Sequence, residues 1–360
     1  MLNQDRLRQL QEAMHEHGWE LLLLYGHTWR KDFFRCLLNV NFLGPHAAIA
    51  LTRSGELQVL VTDPWDAESI AEFVENVTFA QDFAAGLQRL ATPFQALAIA
   101  GMELMEARFV QAVPNPVSAT LLVEELRRVK TPYEMECLMR AAELADRGYQ
   151  HFAQVIDEGM AEFELVAEVE SFLKTNGAED NFMLIASGGV EVTGMKPPTS
   201  RRFRKGDSVT TELTPQVNGY FAQICRTLVM GEPNPQQRQA FSIFSEARQA
   251  AEDLLAPGVN VSDLARAQNE VFRKYGYGEY TGPKYTRVRG HGLGLHPDEN
   301  PYILEDVDYV VKPGMILIAH PNTYLPLSGY MVFGDTLRVT ADGCSSLNQV
   351  ERKLFQKEAR

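Results

Sequence analysis

GHGLGLHPDENP, residues 290–301, sets His291, His296 and Asp298 in a loop punctuated by Gly290, Gly292 and Gly294. A histidine in such a turn either serves chemistry or only hydrogen-bonds within the loop. The surrounding sequence gives the loop its frame. YTRVRGHGLGL (285–295), MILIAHPNTYL (315–325) and YMVFGDTLRVT (330–340) read as extended chain. Ahead of them, PNPQQRQAFSIFSEARQAAEDLL (233–255) and VSDLARAQNEVFRKYG (261–276) carry apolar residues at helical spacing. The preceding half repeats that order. Residues 121–159 predict two helices broken near Thr131-Pro132, where Thr131 and Glu134 stand at capping-box spacing. A third helix covers 161–177, with Gly177 as its stop, and NFMLIASGG (181–189) and residues 207–231 then read as strands. Helices followed by strands, twice over, predict a pseudo-duplicated α+β domain.

Upstream the texture differs. A helical pattern over residues 2–18 ends at Gly18 and is followed by the apolar runs ELLLLYG (20–26), AAIALT (47–52) and LQVLVT (57–62). Ser54-Gly55 between the last two signals a hairpin. QAVPNPVSAT (111–120), with two prolines and several small residues, reads as a linker. The expected division is a smaller α/β domain over residues 1–118 and a larger α+β domain over 119–360.

Composition narrows the function classes. The 34 basic and 47 acidic side chains give a net charge of −13, which disfavours nucleic acid and anionic membranes as partners. Hydrophobic content of 45% and charged content of 22% are those of an ordinary globular protein. No apolar run approaches the ~20 residues of a membrane span. The polar N-terminus does not read as a signal peptide, and Cys36, Cys137, Cys225 and Cys344 form no CxxC pair. A cytoplasmic protein is expected, without a disulfide framework or a thiolate zinc site.

Four segments resemble one family. GHGLGLHPDENP resembles the GHGxGxxxHExP signature shared by creatinase, Xaa-Pro aminopeptidase, prolidase and methionine aminopeptidase, of peptidase family M24. KPGMILIAHPNTY (312–324), RRVKTPYEMECLMRAAELADRGY (127–149) and FRKGDSVTTELTPQVNGYFAQICRTLVMGEP (203–233) resemble its other motifs, in order and at compatible spacing. The resemblance implies a pita-bread C-terminal domain, a creatinase-like N-terminal domain and a homodimer. It also implies two divalent ions on two Asp, one His and two Glu. Carried over position by position, those ligands fall on Glu212, Gln223, His291, His320 and Gly334, the last just before Asp335. Met195 stands where the family usually has a histidine, and Asp298 where a second is expected. Two ions bring a charge of +4, and hard ions bridged at close range need anionic oxygens. One carboxylate in five ligand positions does not supply them.

Three readings follow. In the first, a metal-free, creatinase-like enzyme without a cofactor cleaves a C–N bond of a small polar metabolite by hydrolysis or elimination. Its catalytic groups are His320, His291 and Glu212, because imidazoles carry protons near neutrality. In the second, Glu212, His291 and His320, with Gln223 as a possible fourth ligand, hold one Fe or Zn ion. In the third, an inactive pseudoenzyme binds a peptide or protein. Gln223, Asp335, Asp298, His296 and Tyr324 are the expected substrate contacts, with Tyr330 also near the site. Trp29 and Arg30, in HTWRKDFFRC (27–36), are expected to meet an anionic substrate group in a partner's pocket. Each residue has a plainer reading. Glu212 alternates with apolar neighbours as on a half-buried strand, where a carboxylate is costly unless paired. Cys225 is read as core filler, and Lys196 as part of a solvated basic loop.

Overall fold

A computed structural model describes residues 1–358. Tertiary contacts divide the chain into two compact units, Met1–Tyr133 and Glu134–Arg360. The first begins with the helix Gln4–His17, capped by the Asn3 side chain and ended by Gly18 at a φ of 71°. Its six-stranded sheet runs β4-β3-β2-β1-β5-β6. These strands are β1 (Leu21–His27), β2 (His46–Thr52), β3 (Leu57–Val61), β4 (Val77–Phe79), β5 (Leu97–Ala100) and β6 (Val117–Ser118). The expected hairpin forms, with β2 and β3 antiparallel and Gly55 in the left-handed region at their turn. One sheet face is sealed by Leu21, Leu23, Leu60, Leu87 and Ile99.

The boundary between the units corrects the expected one at residue 118. The stretch read as a linker contains β6, which pairs with β5, and the helix Thr120–Arg128 after it stays with the first unit. Gly101 N donates to Thr120 Oγ1, Arg127 pairs with buried Asp32, and Arg6 donates to Val129 O. Prolines mark where a helix cannot continue. Here they do not mark where packing stops.

The second unit is built on β7 (Asp180–Gly188), β8 (Ser208–Val217), β9 (Tyr220–Phe221), β10 (Ile224–Met230), β11 (Gly290–Gly292), β12 (Ile316–Ala319), β13 (Asn322–Leu325), β14 (Gly329–Val332) and β15 (Gly334–Val339). Its central path is β11-β12-β15-β10-β8-β7, so one strand of each half, β10 and β15, pairs with the other at the middle. Ile224 lies opposite Asp335, and Cys225 opposite Gly334. This is the predicted duplication. Each half covers the sheet with its own helices. Leu144, Phe152, Leu165 and Val169, from Pro132–Val155 and Glu162–Thr175, pack on Ile185, Leu213 and Leu228. Phe244 and Phe272, from Pro235–Leu254 and Val261–Lys274, pack on Met331 and Phe333.

The extended stretches are shorter than their sequence suggests. Residues 315–325 break at His320-Pro321, where proline has no N–H for a ladder. Residues 285–295 yield only the three-residue β11. A side chain at Gly290 would bring its Cβ to 2.0 Å from Ile318 O, so glycine is what lets β11 lie against β12.

Candidate active site

The two halves meet around a cavity of about 540 Å³ in the second unit. The sheet supplies one wall. Leu184 on β7 lies opposite Glu212 on β8, and Glu212 lies opposite Cys225 on β10, so one lateral row runs toward Gly334 on β15. Glu212 and Gln223 face the cavity from this wall, and His291 and His320 from the other half. The imidazoles of His291 and His320 stand 5.2 Å apart, centroid to centroid, at 70°.

His320 fits because residue 334 is glycine. A Cβ at position 334 would fall 2.6 Å from His320 Cβ and 2.7 Å from Ala319 O, closer than atoms pack. Backbone bonds fix the histidine, with His320 N donating to Arg289 O at 3.0 Å. His291 is held by its side chain. Its Nδ1 lies 2.9 Å from Gly292 O and 3.5 Å from Asp298 Oδ1. Both contacts are acceptors, so Nδ1 carries the proton and Nε2 keeps its lone pair.

His320, only 3% exposed, has neither ring nitrogen hydrogen-bonded. Glu212 is 7% exposed. Burial, and then the charge of Asp298, push its carboxyl up to about 7. Burial pulls both histidines down, His320 well below the usual imidazole range, where neighbouring His291 and Arg289 add to the effect. The expectation that imidazoles titrate near neutrality is therefore reversed. Glu212 is the group poised there, and the histidines are neutral.

Of the expected site residues, Glu212, Gln223, His291, His320, Asp298 and His296 line the cavity together. Gln223 is anchored through its backbone N–H to Thr336 Oγ1 at 2.9 Å, and its amide donates to Cys225 Sγ at 3.3 Å. His296 braces the loop, its Nδ1 accepting from Asp298 N at 3.3 Å. Asp335 corrects the expectation. It sits behind the wall, fully buried, with Arg226 Nη2 at 2.7 Å and Arg352 Nε at 2.8 Å. Successive strand residues face opposite sides, so the residue after Gly334 points away from the cavity. Tyr324 is likewise displaced. It stacks on Tyr285, at 5.7 Å and 13°, and Tyr285 and Tyr330 are the tyrosines on the cavity wall. Arg30, in the first unit, is engaged by Asp32 at 3.0 Å and is not a free anion receptor, while Trp29 is 87% exposed. Met195 lines the cavity, whereas exposed Lys196 belongs to a neighbouring recess. Cys225 is buried, and burial together with Glu212 pushes its thiol well up, which rules it out as a ready nucleophile. Sequence reasoning missed Asn322, Thr286 and Phe182. Phe182 was accessible to it, lying two residues before Leu184 and thus on one strand face.

Comparison with known proteins bears on this arrangement. The sequence profile of Metallopeptidase family M24 matches residues 136–341. The chain belongs to that family. An Xaa-Pro dipeptidase of Pyrococcus furiosus is 34% identical over 236 residues, 65% of this chain and 67% of its own length. A putative dipeptidase of Bacillus subtilis is 31% identical, over 66% of this chain and 65% of its own length. The matched region thus spans about two thirds of these curated relatives. Two solved structures extend the likeness. X-Pro aminopeptidase from Thermotoga maritima superposes with a TM-score of 0.87, at 22% identity, over 98% of this chain and 99% of that one. Prolidase from Pyrococcus furiosus gives 0.81, at 27% identity, over 95% and 99%. The pita-bread fold and its N-terminal domain stand as expected. The curated relatives are hydrolases of C–N peptide bonds, and the expectation of a C–N hydrolase is met at that level.

This M24 member does not carry the donor set for a pair of divalent ions. The cavity offers one buried carboxyl, Glu212, and the half-exposed Asp298, which is turned toward His291. Position 334 has no side chain and no room for one, and Asp335 is held by two arginines. Two neutral imidazoles and one carboxyl match a single borderline ion in chemistry. Among the described residues, however, no three His, Cys, Asp or Glu side chains are grouped closely enough to hold one.

Proposed function

We propose that this chain hydrolyses a C–N bond of a small polar molecule by acid–base catalysis on Glu212, His291 and His320, without the two-ion chemistry of a metallopeptidase. One observation carries the reading. Buried polar groups without partners are costly, and here both ring nitrogens of His320 are left so, facing the cavity that Glu212 also lines. Ionised Glu212 removes a proton from water as its oxygen attacks the trigonal carbon. The tetrahedral adduct then collapses, the C–N bond breaks, and Glu212 returns the proton to the leaving nitrogen. Neutral His320 donates N–H to the oxygen on which charge develops, and His291 Nε2 accepts from the attacking water or the substrate. A carboxyl that titrates near 7 serves both proton transfers at neutral pH.

The acidic composition and the four free cysteines support a cytoplasmic setting, and the resemblance to creatinase supports a homodimer. No described helix is long and apolar enough to cross a membrane. Elemental analysis of untagged protein purified without chelator tests the reading. Less than about a tenth of an equivalent of transition metal, with turnover retained, supports it. Close to one equivalent of iron or zinc, lost in His320→Ala, overturns it in favour of a mononuclear metal site.

A further inference from the structure

The charge of the cavity wall names the class of molecule it takes. None of the described residues lining it is a lysine or an arginine. Its acidic groups are Glu212 on the sheet wall and Asp298 beside His291. Arg289 stays behind the wall. It is fully buried, and its Nη1 donates to Thr286 O at 2.7 Å and to Asn322 O at 3.0 Å. An anionic substrate group would therefore enter a cavity with no cation at its wall and two carboxylates already there. A cation reverses both signs, since each carboxylate gains an opposite charge and the repulsion between them falls.

The rest of the wall fits the same chemistry. Phe182, Tyr285 and Tyr330 present aromatic rings, and Leu184, Met195 and Val288 fill between them with apolar surface. Aromatic faces attract a weakly hydrated cation within about 6 Å of the ring centroid, more so where water is excluded. The buried His320 nitrogens, aimed into the same space without a partner, mark it as built for a ligand.

Resting on the hydrolase reading above, we propose that the substrate is a small organic cation, an amine, amidine or guanidinium with an apolar body, and that the cavity rejects free carboxylates. A dipeptide enters poorly, because its C-terminal carboxylate finds no cationic receptor on this wall.

Benzylammonium, benzyl alcohol and benzoate probe the cavity with one body and three charges. Calorimetric titration at pH 8 is expected to give at least tenfold tighter binding for the cation than for the alcohol, and none for benzoate. Glu212→Gln and Asp298→Asn should each weaken the cation at least threefold and leave the alcohol unchanged, with unchanged circular dichroism confirming the fold. Met195→Arg should admit benzoate. Benzoate binding as tightly as benzylammonium to the unmodified chain overturns the assignment, and so does a cation affinity indifferent to both carboxylate changes. Neither result touches acid–base hydrolysis, which is judged by turnover and metal content.

Discussion

Two clusters of charged and polar side chains lie on opposite faces of the second unit's sheet, and they are built in opposite ways. Behind the sheet, both oxygens of Asp335 are held, one by Arg226 and the other by Arg352, and Arg226 also donates to Cys225 O, Gly334 O and Val350 O. In front, Glu212 and His320 face the cavity, and neither ring nitrogen of His320 has a partner. A paired buried charge reports on folding, because removing one partner strands the other. An unpartnered one lowers stability and is explained by something that arrives later. Neighbouring residues on one strand, Gly334 and Asp335, thus belong to different functions of the molecule.

That contrast predicts opposite consequences for substitutions one strand apart. Asp335→Asn leaves Arg226 uncompensated in the interior and is expected to cost about 3–5 kcal/mol in denaturant unfolding. His320→Ala should leave unfolding within about 1 kcal/mol and lower kcat by ~10²–10³, the scale of a lost donor to a developing oxyanion. An unchanged kcat removes His320 from the mechanism. Gly334→Ala sharpens the comparison further. Its Cβ collides with His320, so turnover should fall about as far as in His320→Ala, while Asp335 and its arginines keep their pairing. Activity close to the unsubstituted chain would mean that the imidazole does not need its present position.

The smallest effect lies in the pH dependence of stability. Burial raises the folded-state value of Glu212 to about 7, so the stability that goes with its neutral form is complete below the ordinary carboxylate range. It is lost as pH rises through about 7. His291 and His320 act with the opposite sign. Their values are lowered, so their contribution is present above the ordinary imidazole range and lost as pH falls through their folded values. Glu212→Gln should remove the loss on the alkaline side and leave the acidic side unchanged. That loss amounts to a few kcal/mol, at about 1.4 kcal/mol for each pH unit separating the folded value from the ordinary one. Unfolding curves at pH 5, 6, 7 and 8 separate the two, and identical slopes in both proteins would contradict the effect of burial on Glu212.

Much of this was legible in the residues. The doubled order of helices and strands follows from hydrophobic periodicity, which local geometry enforces. His291, His320, Glu212, Gln223, His296 and Asp298 were found from motif spacing, and the cavity gathers all six. Strand alternation at Gly334-Asp335 was also available in the sequence, and it places Asp335 on the opposite face from the position before it. The sequence alone determined which side chains stand at the positions matching the family's ligands, because ligand identity is a property of residue type. Tertiary structure alone decided which residues stay together and what their charges are. Proline-rich 111–120 proved to be packed chain, because β6 and the helix after it find partners that no local pattern announces. The reversal between Glu212 and the histidines has the same origin. Proton affinity follows burial and neighbouring charge, and both are set by parts of the chain that are distant in sequence and adjacent only after folding.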